Sequence, residues 1–146
     1  MELPQVPPGD AIRFRARTRT RWSDEDNQDV LNNAVYLTLL EEARHAYFTE
    51  LGLLEGNRFP FLLAQCNVRF VSAGRGGTDV EIELITTHLG TSSFRQAYRV
   101  RESGTGEVWC EAEAVLVTWD PVTGAPVEMA PELRAAVEAY EEPGQD

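Results

Sequence analysis

The run from Ala34 to Leu51 constrains this chain more than any other segment. Tyr36, Leu40, Ala43, Tyr47 and Leu51 recur at helical spacing, and Val35, Leu37, Leu39 and Phe48 widen the apolar face. Thr38, Glu41, Glu42, His45 and Thr49 are left as a narrow polar side. A helix with so little polar surface must be enclosed by other elements over most of its circumference. Asn32 or Asn33 is placed to cap its start, and Gly52 to end it in the left-handed conformation.

The rest of the chain supplies a sheet to do the enclosing. Arg13, Arg15, Arg17, Arg19 and Arg21 alternate with Phe14, Ala16, Thr18, Thr20 and Trp22, and this period of two predicts a strand with one charged face. Segments near Phe61 to Val71, Thr78 to His88, Ser92 to Arg101 and Glu107 to Thr118 also read as strands, with glycines in the turns between them. Ala130 to Glu142, with Pro131 in its first turn, reads as a short amphipathic helix. No repeat or linker interrupts this order. The 146 residues suit one domain, 1–146, with a core over about 11–142 and short polar tails. The fold class is therefore α+β, one antiparallel sheet packed on a long helix. Glu81, Glu83, Glu111 and Glu113 fall on strands flanking those with the arginine rows. The two signs are expected to meet across an exposed outer face, each pair contributing about 0.2 to 1 kcal/mol and mainly setting register.

A net charge of −11 argues against nucleic acid as a partner, because no positive field exists to displace its counterions. The first ten residues hold three prolines and no apolar run, so neither a leader nor a membrane span is expected, and the expected location is cytoplasmic. Cys66 and Cys110 lie in alternating apolar segments and read as buried free thiols. His45 and His88 are too far apart for zinc-ligand spacing. All 13 basic residues are arginine, which rules out lysine Schiff-base and P-loop chemistry.

The segment with chemical content runs from Arg21 to Tyr36. Asp24, Glu25, Asp26 and Asp29 place four carboxylates within six residues, in a loop that leads straight into the buried helix. A helix start offers unpaired N–H groups and partial positive charge, which polarise a carbonyl, and a carboxylate held just before it can activate water or attack that carbonyl. The same acids also suit a role that merely solvates the loop and favours the helix N-terminus.

The pattern Trp22-x-Asp24-x-Asp26, then Asn32-Asn33-x-x-Tyr36 and Glu41-Glu42-Ala43-Arg44, resembles the hotdog-fold acyl-CoA thioesterases of the 4-hydroxybenzoyl-CoA thioesterase group. The resemblance continues through Gly77-Thr78-Asp79, Leu89 to Phe94, Ala112 to Trp119 and Pro126 to Leu133. It implies a five-stranded antiparallel sheet, in the order first, third, fourth, fifth, second, wrapped around the long helix, with a short C-terminal helix. By position Asp26 matches the carboxylate that acts on the thioester, and the Asn33 backbone N–H matches the donor that polarises its carbonyl. Asp24, Asn32, Tyr36, Ser92 and Ser93 match positions that order or line the substrate site, the two serines where a neighbouring subunit approaches. The implied partners are an acyl-CoA substrate and a second copy of the chain, in a homodimer that assembles into a homotetramer. No metal and no cofactor is called for. Asp29 and Val30 depart from the Gly-His that many relatives carry before Val-Asn-Asn. The absence of histidine between Trp22 and Arg44 disfavours hydratase chemistry. A carrier-protein thioesterase and a non-catalytic acyl-thioester binder remain alternatives. Glu41 and His45, four apart on the helix, read as an ordinary surface pair.

Overall fold

The computed structural model describes residues 2–142. The strands are β1 (Phe14–Arg19), β2 (Phe61–Phe70), β3 (Asp79–Leu89), β4 (Ser93–Glu102), β5 (Val108–Asp120) and a short β6 (Ala125–Pro126). The helices are α1 (Asn33–Glu50) and α2 (Pro131–Glu141). The sheet runs β1-β3-β4-β5-β2 with every neighbour antiparallel, and β6 pairs with the end of β5. Its inner face packs Phe14, Val80, Ile82, Leu84, Phe94, Val100, Ala112 and Leu116 against α1. This is the hotdog arrangement that the resemblance implies.

Helix α1 forms where the apolar spacing places it. The Asn32 side chain accepts a 3.0 Å hydrogen bond from the Ala34 N–H, and Gly52 takes a φ of 72°, so both expected end signals are used. Phe48 anchors the helix between Phe61 and Phe94, with ring centroids 4.9 and 5.8 Å away. The buried face is the expected one, with two differences at its margins. Leu37 is 46% exposed, whereas Arg44 is 4% exposed. Arg44 reaches the interior because the sheet meets it with polar groups. Its Nε donates to Tyr98 OH (3.0 Å), which donates to Gln96 Oε1 (2.5 Å), and Gln96 Nε2 donates to Thr86 Oγ1 (3.2 Å). Thr86 Oγ1 bonds Tyr47 OH (2.9 Å), and Tyr47 OH donates to Glu141 of α2 (2.8 Å). Each polar group brought into the core thus meets another. Burial pushes Tyr98 up to about 12 and raises Glu141 above the usual carboxylate range.

The outer face corrects the expectation of an exposed charge ladder. The register is as expected, with Arg17 opposite Glu81, Arg15 opposite Glu83 and Arg99 opposite both Glu83 and Glu111. Glu83, however, is fully buried and Arg99 is only 6% exposed. The cover is the N-terminal segment that composition marked as a polar tail. Asn67 donates to Glu2 O, the Gln5 N–H donates to Glu113, Arg99 donates to Pro7 O (2.9 Å) and Arg15 to Gly9 O (2.7 Å). The chain therefore straps its own sheet from β2 to β1. Beneath the strap, Arg15, Arg99 and Arg101 converge on Glu83 at 2.7, 3.0 and 3.1 Å. Burial alone would raise the Glu83 pKa. The Arg99 and Arg101 hydrogen bonds and the Arg101 and Arg15 charges outweigh it and hold the carboxyl below the usual glutamate range.

A carboxyl whose pKa is depressed by folding stabilises the fold above its ordinary titration range, and that contribution disappears as the pH falls through the folded-state value. We predict that Glu83→Gln lowers stability at neutral pH by about 3 kcal/mol, since it strands arginines under the strap. Its melting temperature should also fall less steeply on acidification than that of the wild type. Thermal melts of both proteins between pH 7 and pH 3 measure the two effects together.

Candidate active site

The loop from Arg21 to Asn33 is a small built object. Trp22–Asp24 form a 3-10 turn whose ends are tied by Asp24, which accepts from the Arg21 backbone N–H at 2.8 Å and from the Arg21 guanidinium at 2.9 and 3.2 Å. Burial would raise the Asp24 pKa, but the Arg21 hydrogen bonds and charge hold it below the usual range. Asp24 is thus an ordering residue, charged and turned into the loop. Beyond it the chain doubles back as a tight hairpin. Glu25 bridges Leu31, the Asp26 N–H donates to Val30 O (2.8 Å), and the Asn32 N–H donates to Asp24 O (2.9 Å).

At the tip, Asp26 is half-buried and its Oδ1 accepts from the Gln28 N–H at 2.7 Å. Its Oδ2 has no hydrogen-bond partner among the described residues. The hairpin closes through Asp29, whose φ of 62° lies in the left-handed region. That is the conformation a glycine would adopt freely, and an aspartate tolerates it better than most side chains. The departure from glycine noted in the sequence therefore leaves the hairpin formed.

A second loop, Gly74 to Thr78, clamps the first. The Leu31 N–H donates to Gly74 O (2.9 Å), the Gly76 N–H to Glu25 (2.9 Å), the Gly77 N–H to Thr20 O (2.9 Å), and Thr20 Oγ1 to Arg75 O (2.7 Å). A Cβ on Gly74 would lie 2.6 Å from both the Trp109 ring and the Tyr36 hydroxyl, and one on Gly76 would lie 2.9 Å from Trp22 Cα and closer still to the Arg21 carbonyl oxygen. Only glycine allows either approach. Tyr36 is 2% exposed, packs on Phe70, and is pushed by burial up to about 12, so it supports this floor from within the core. The clamp is a part of the site that the sequence reading treated only as a turn, and the signal was the Gly74-Arg75-Gly76-Gly77 run.

Helix α1 starts where the hairpin ends. Asn32 is the cap, and the Asn33 N–H, at the first helical position, has no acceptor among the described residues. The structure therefore brings Asp24, Asp26, Asn32 and Asn33 into one loop, with Tyr36 beneath. It places Ser92 and Ser93 elsewhere. Ser93 is level with Val117 of β5, as Leu62 is, whereas Phe70 and the Gly74 loop adjoin Cys110 and Trp109 at the other end of that strand. Seven residues of β5 separate the two levels, or about 23 Å at 3.3 Å per residue. His45 packs edge-on to Phe59, and no hydrogen bond joins it to Glu41 among the described residues. No group of three or more His, Cys, Asp or Glu among them is placed to hold a metal ion. Cys66 and Cys110 are free, and burial pushes the Cys110 thiol up to about 12. Two cavities of the single chain, about 200 and 290 Å³, lie under the strap and beside α2, and neither includes a residue of the Asp24–Tyr36 segment.

A family model described as the thioesterase-like superfamily matches residues 20–137, and so spans both loops and α1. The chain belongs to that superfamily. Among solved structures, a thioesterase complexed with coenzyme A and zinc from Thermus thermophilus is 30% identical, with a TM-score of 0.79 over 90% of this chain and 97% of that one. Slr0204, a 1,4-dihydroxy-2-naphthoyl-CoA thioesterase from Synechocystis, has a TM-score of 0.79 at 16% identity over 89% and 98%. The PA5185 protein from Pseudomonas aeruginosa has a TM-score of 0.80 at 23% identity over 89% and 92%. No curated protein matches by sequence. The protein is thus a thioester hydrolase of the hotdog fold. No helix among the described residues is long and apolar enough to cross a membrane.

The left-handed hairpin position gives a test of this geometry. Asp29→Gly should fold with a melting temperature at least equal to that of the wild type. Asp29→Val, β-branched at a φ of 62°, should be less stable than Asp29→Gly by about 1 to 2 kcal/mol in denaturant titrations.

Proposed function

We propose that this protein hydrolyses an acyl-CoA to the free acid and coenzyme A, with Asp26 as the catalytic carboxylate and the Asn33 N–H as the oxyanion donor. The observation that carries this reading is the presence of two unused groups in one built loop, one at its tip and one where it enters α1. Asp26 is oriented through Oδ1 and leaves Oδ2 free, and the helix start leaves the Asn33 N–H without an acceptor. A thioester carbonyl oxygen seated on that N–H gains charge stabilisation as the carbon becomes tetrahedral. Asp26 then either takes a proton from a water that adds to the carbonyl carbon, or adds its own oxygen and forms an acyl-aspartyl anhydride that water afterwards hydrolyses to the free acid and the regenerated carboxylate. The C–S bond breaks, and the thiolate leaves and is protonated. A thioester has little resonance stabilisation, so a positioned carboxylate and one donor suffice. Asp24, Asn32 and Tyr36 hold this pair in place.

The functional unit in this reading is a homodimer, assembling further into a homotetramer. β2 is a ten-residue edge strand, and Leu62, Leu63 and Phe70 on it and Val71 just after it are 40 to 49% exposed, as is Leu37 on α1. Such an edge is a template for a second copy. Antiparallel pairing of β2 with its two-fold mate sets the Leu62 end of one copy beside the Phe70 end of the other. Ser92 and Ser93 of the partner subunit then approach the Asp26 loop from across the interface. Two free cysteines suit a reducing, cytoplasmic setting.

The test is thiol release from short, long, branched and aromatic acyl-CoAs by the wild type and by Asp26→Asn. Turnover by the wild type, reduced at least about 10²-fold in a folded, dimeric variant, is the expected result. Equal turnover by both proteins would remove Asp26 from the chemistry. Binding of esters without thiol release would make the protein a non-catalytic acyl-thioester binder.

A further inference from the structure

Two side chains beside the Asp26 loop form no hydrogen bond or ion pair among the described residues. Trp22 is 82% exposed, against burial of Trp109 to 0%. Its backbone is fixed by the Arg21–Asp24 ties and by Gly76 packed against its Cα, so the indole is held at the surface by a rigid turn. It follows β1, the sheet edge opposite β2.

The neighbouring loop presents one side chain. Arg75 lies between Gly74 and Gly76, both of which must be free of side chains, and its carbonyl oxygen is held by Thr20. The guanidinium is exposed and forms no hydrogen bond or ion pair among the described residues. Arg58, Arg69 and Arg95 share that condition but not that place. Arg69 sits on β2 opposite Glu111, Arg95 faces the strap cavity, and Arg58 precedes β2 at the far end of the sheet. A chain of net charge −11 repels a polyanion, so its one uncommitted cation on the site's own rim carries weight.

We propose that Trp22 and Arg75 form the subsite for the nucleotide end of the substrate, the indole stacking on the adenine and the guanidinium binding a phosphate. An aromatic face recognises a base by stacking, and a guanidinium matches phosphate oxygens as a planar fork of donors. This inference rests on the thioesterase reading and deepens it, since it makes the substrate a free coenzyme A ester rather than a carrier-protein thioester, which offers no adenine.

The experiment titrates adenosine 3′,5′-diphosphate calorimetrically into the wild type, Trp22→Ala and Arg75→Ala, and separately compares acyl-CoA with the corresponding acyl-pantetheine in thiol release. Melting temperatures confirm that the variants fold. The expected result is binding by the wild type that weakens about tenfold in each variant, with the salt dependence of binding reduced in Arg75→Ala. The preference for acyl-CoA over acyl-pantetheine should fall by a similar factor. Binding equal in all three proteins would overturn the assignment and move the nucleotide to another cation, such as Arg58 of the partner subunit. No binding by the wild type would overturn it in favour of a carrier-protein substrate. Nucleotide binding that depends on both residues without thiol release from any ester would keep this subsite and reject the hydrolase mechanism.

Discussion

Where the Gly74–Thr78 loop crosses the Arg21–Glu25 turn, the two backbones meet with no side chain between them, and the site depends on that contact. Gly76 rests on Trp22 Cα, Gly74 rests on Trp109 and Tyr36, and hydrogen bonds from Leu31, Gly76, Gly77 and Thr20 lock the crossing. The floor under it is the core itself, because Tyr36 belongs to α1 and Trp109 to β5. Packing of the long helix in the sheet therefore sets where the loop lies. The loop in turn sets where the Asp26 carboxylate stands relative to the helix start. The rigidity of the site comes from backbone contact and closed hydrogen bonds.

The two faces of the sheet solve the problem of buried polarity differently. Inside, Arg44, Tyr98, Gln96, Thr86, Tyr47 and Glu141 form one chain of hydrogen bonds that links α1, the sheet and α2. Outside, three arginines neutralise Glu83 under a strap made by the first residues of the chain. A half-satisfied network would be worse than an apolar contact in either place. Both networks join elements far apart in sequence, and so both help to select one register and one docking angle.

Much of this is legible in the amino-acid sequence. The helical run, the alternating strands, the Asn32 cap, the Gly52 stop and the Arg–Glu pairing follow from local periodicity and residue chemistry, and each is found. What was missed depends on distance in sequence. The strap has no periodicity to announce it, because its prolines and backbone carbonyls are read by arginines of β1 and β4. Leu37 and Arg44 lie at the margins of the apolar face, where spacing does not decide which side turns inward; Tyr98 decides for Arg44. Tyr36 reads from its motif as a site wall, yet the glycine above it makes it a core residue. Ser92 and Ser93, read as lining the site where a neighbouring subunit approaches, lie within one chain at the other end of β5 from the Asp26 loop.

The most direct test of the account is a crystal structure of Asp26→Asn with an uncleaved acyl-CoA bound. The account predicts a thioester carbonyl oxygen about 3 Å from the Asn33 nitrogen, with the side chain at position 26 against the carbonyl carbon. A thioester seated away from the α1 start, with the Asn33 N–H facing solvent, would contradict it.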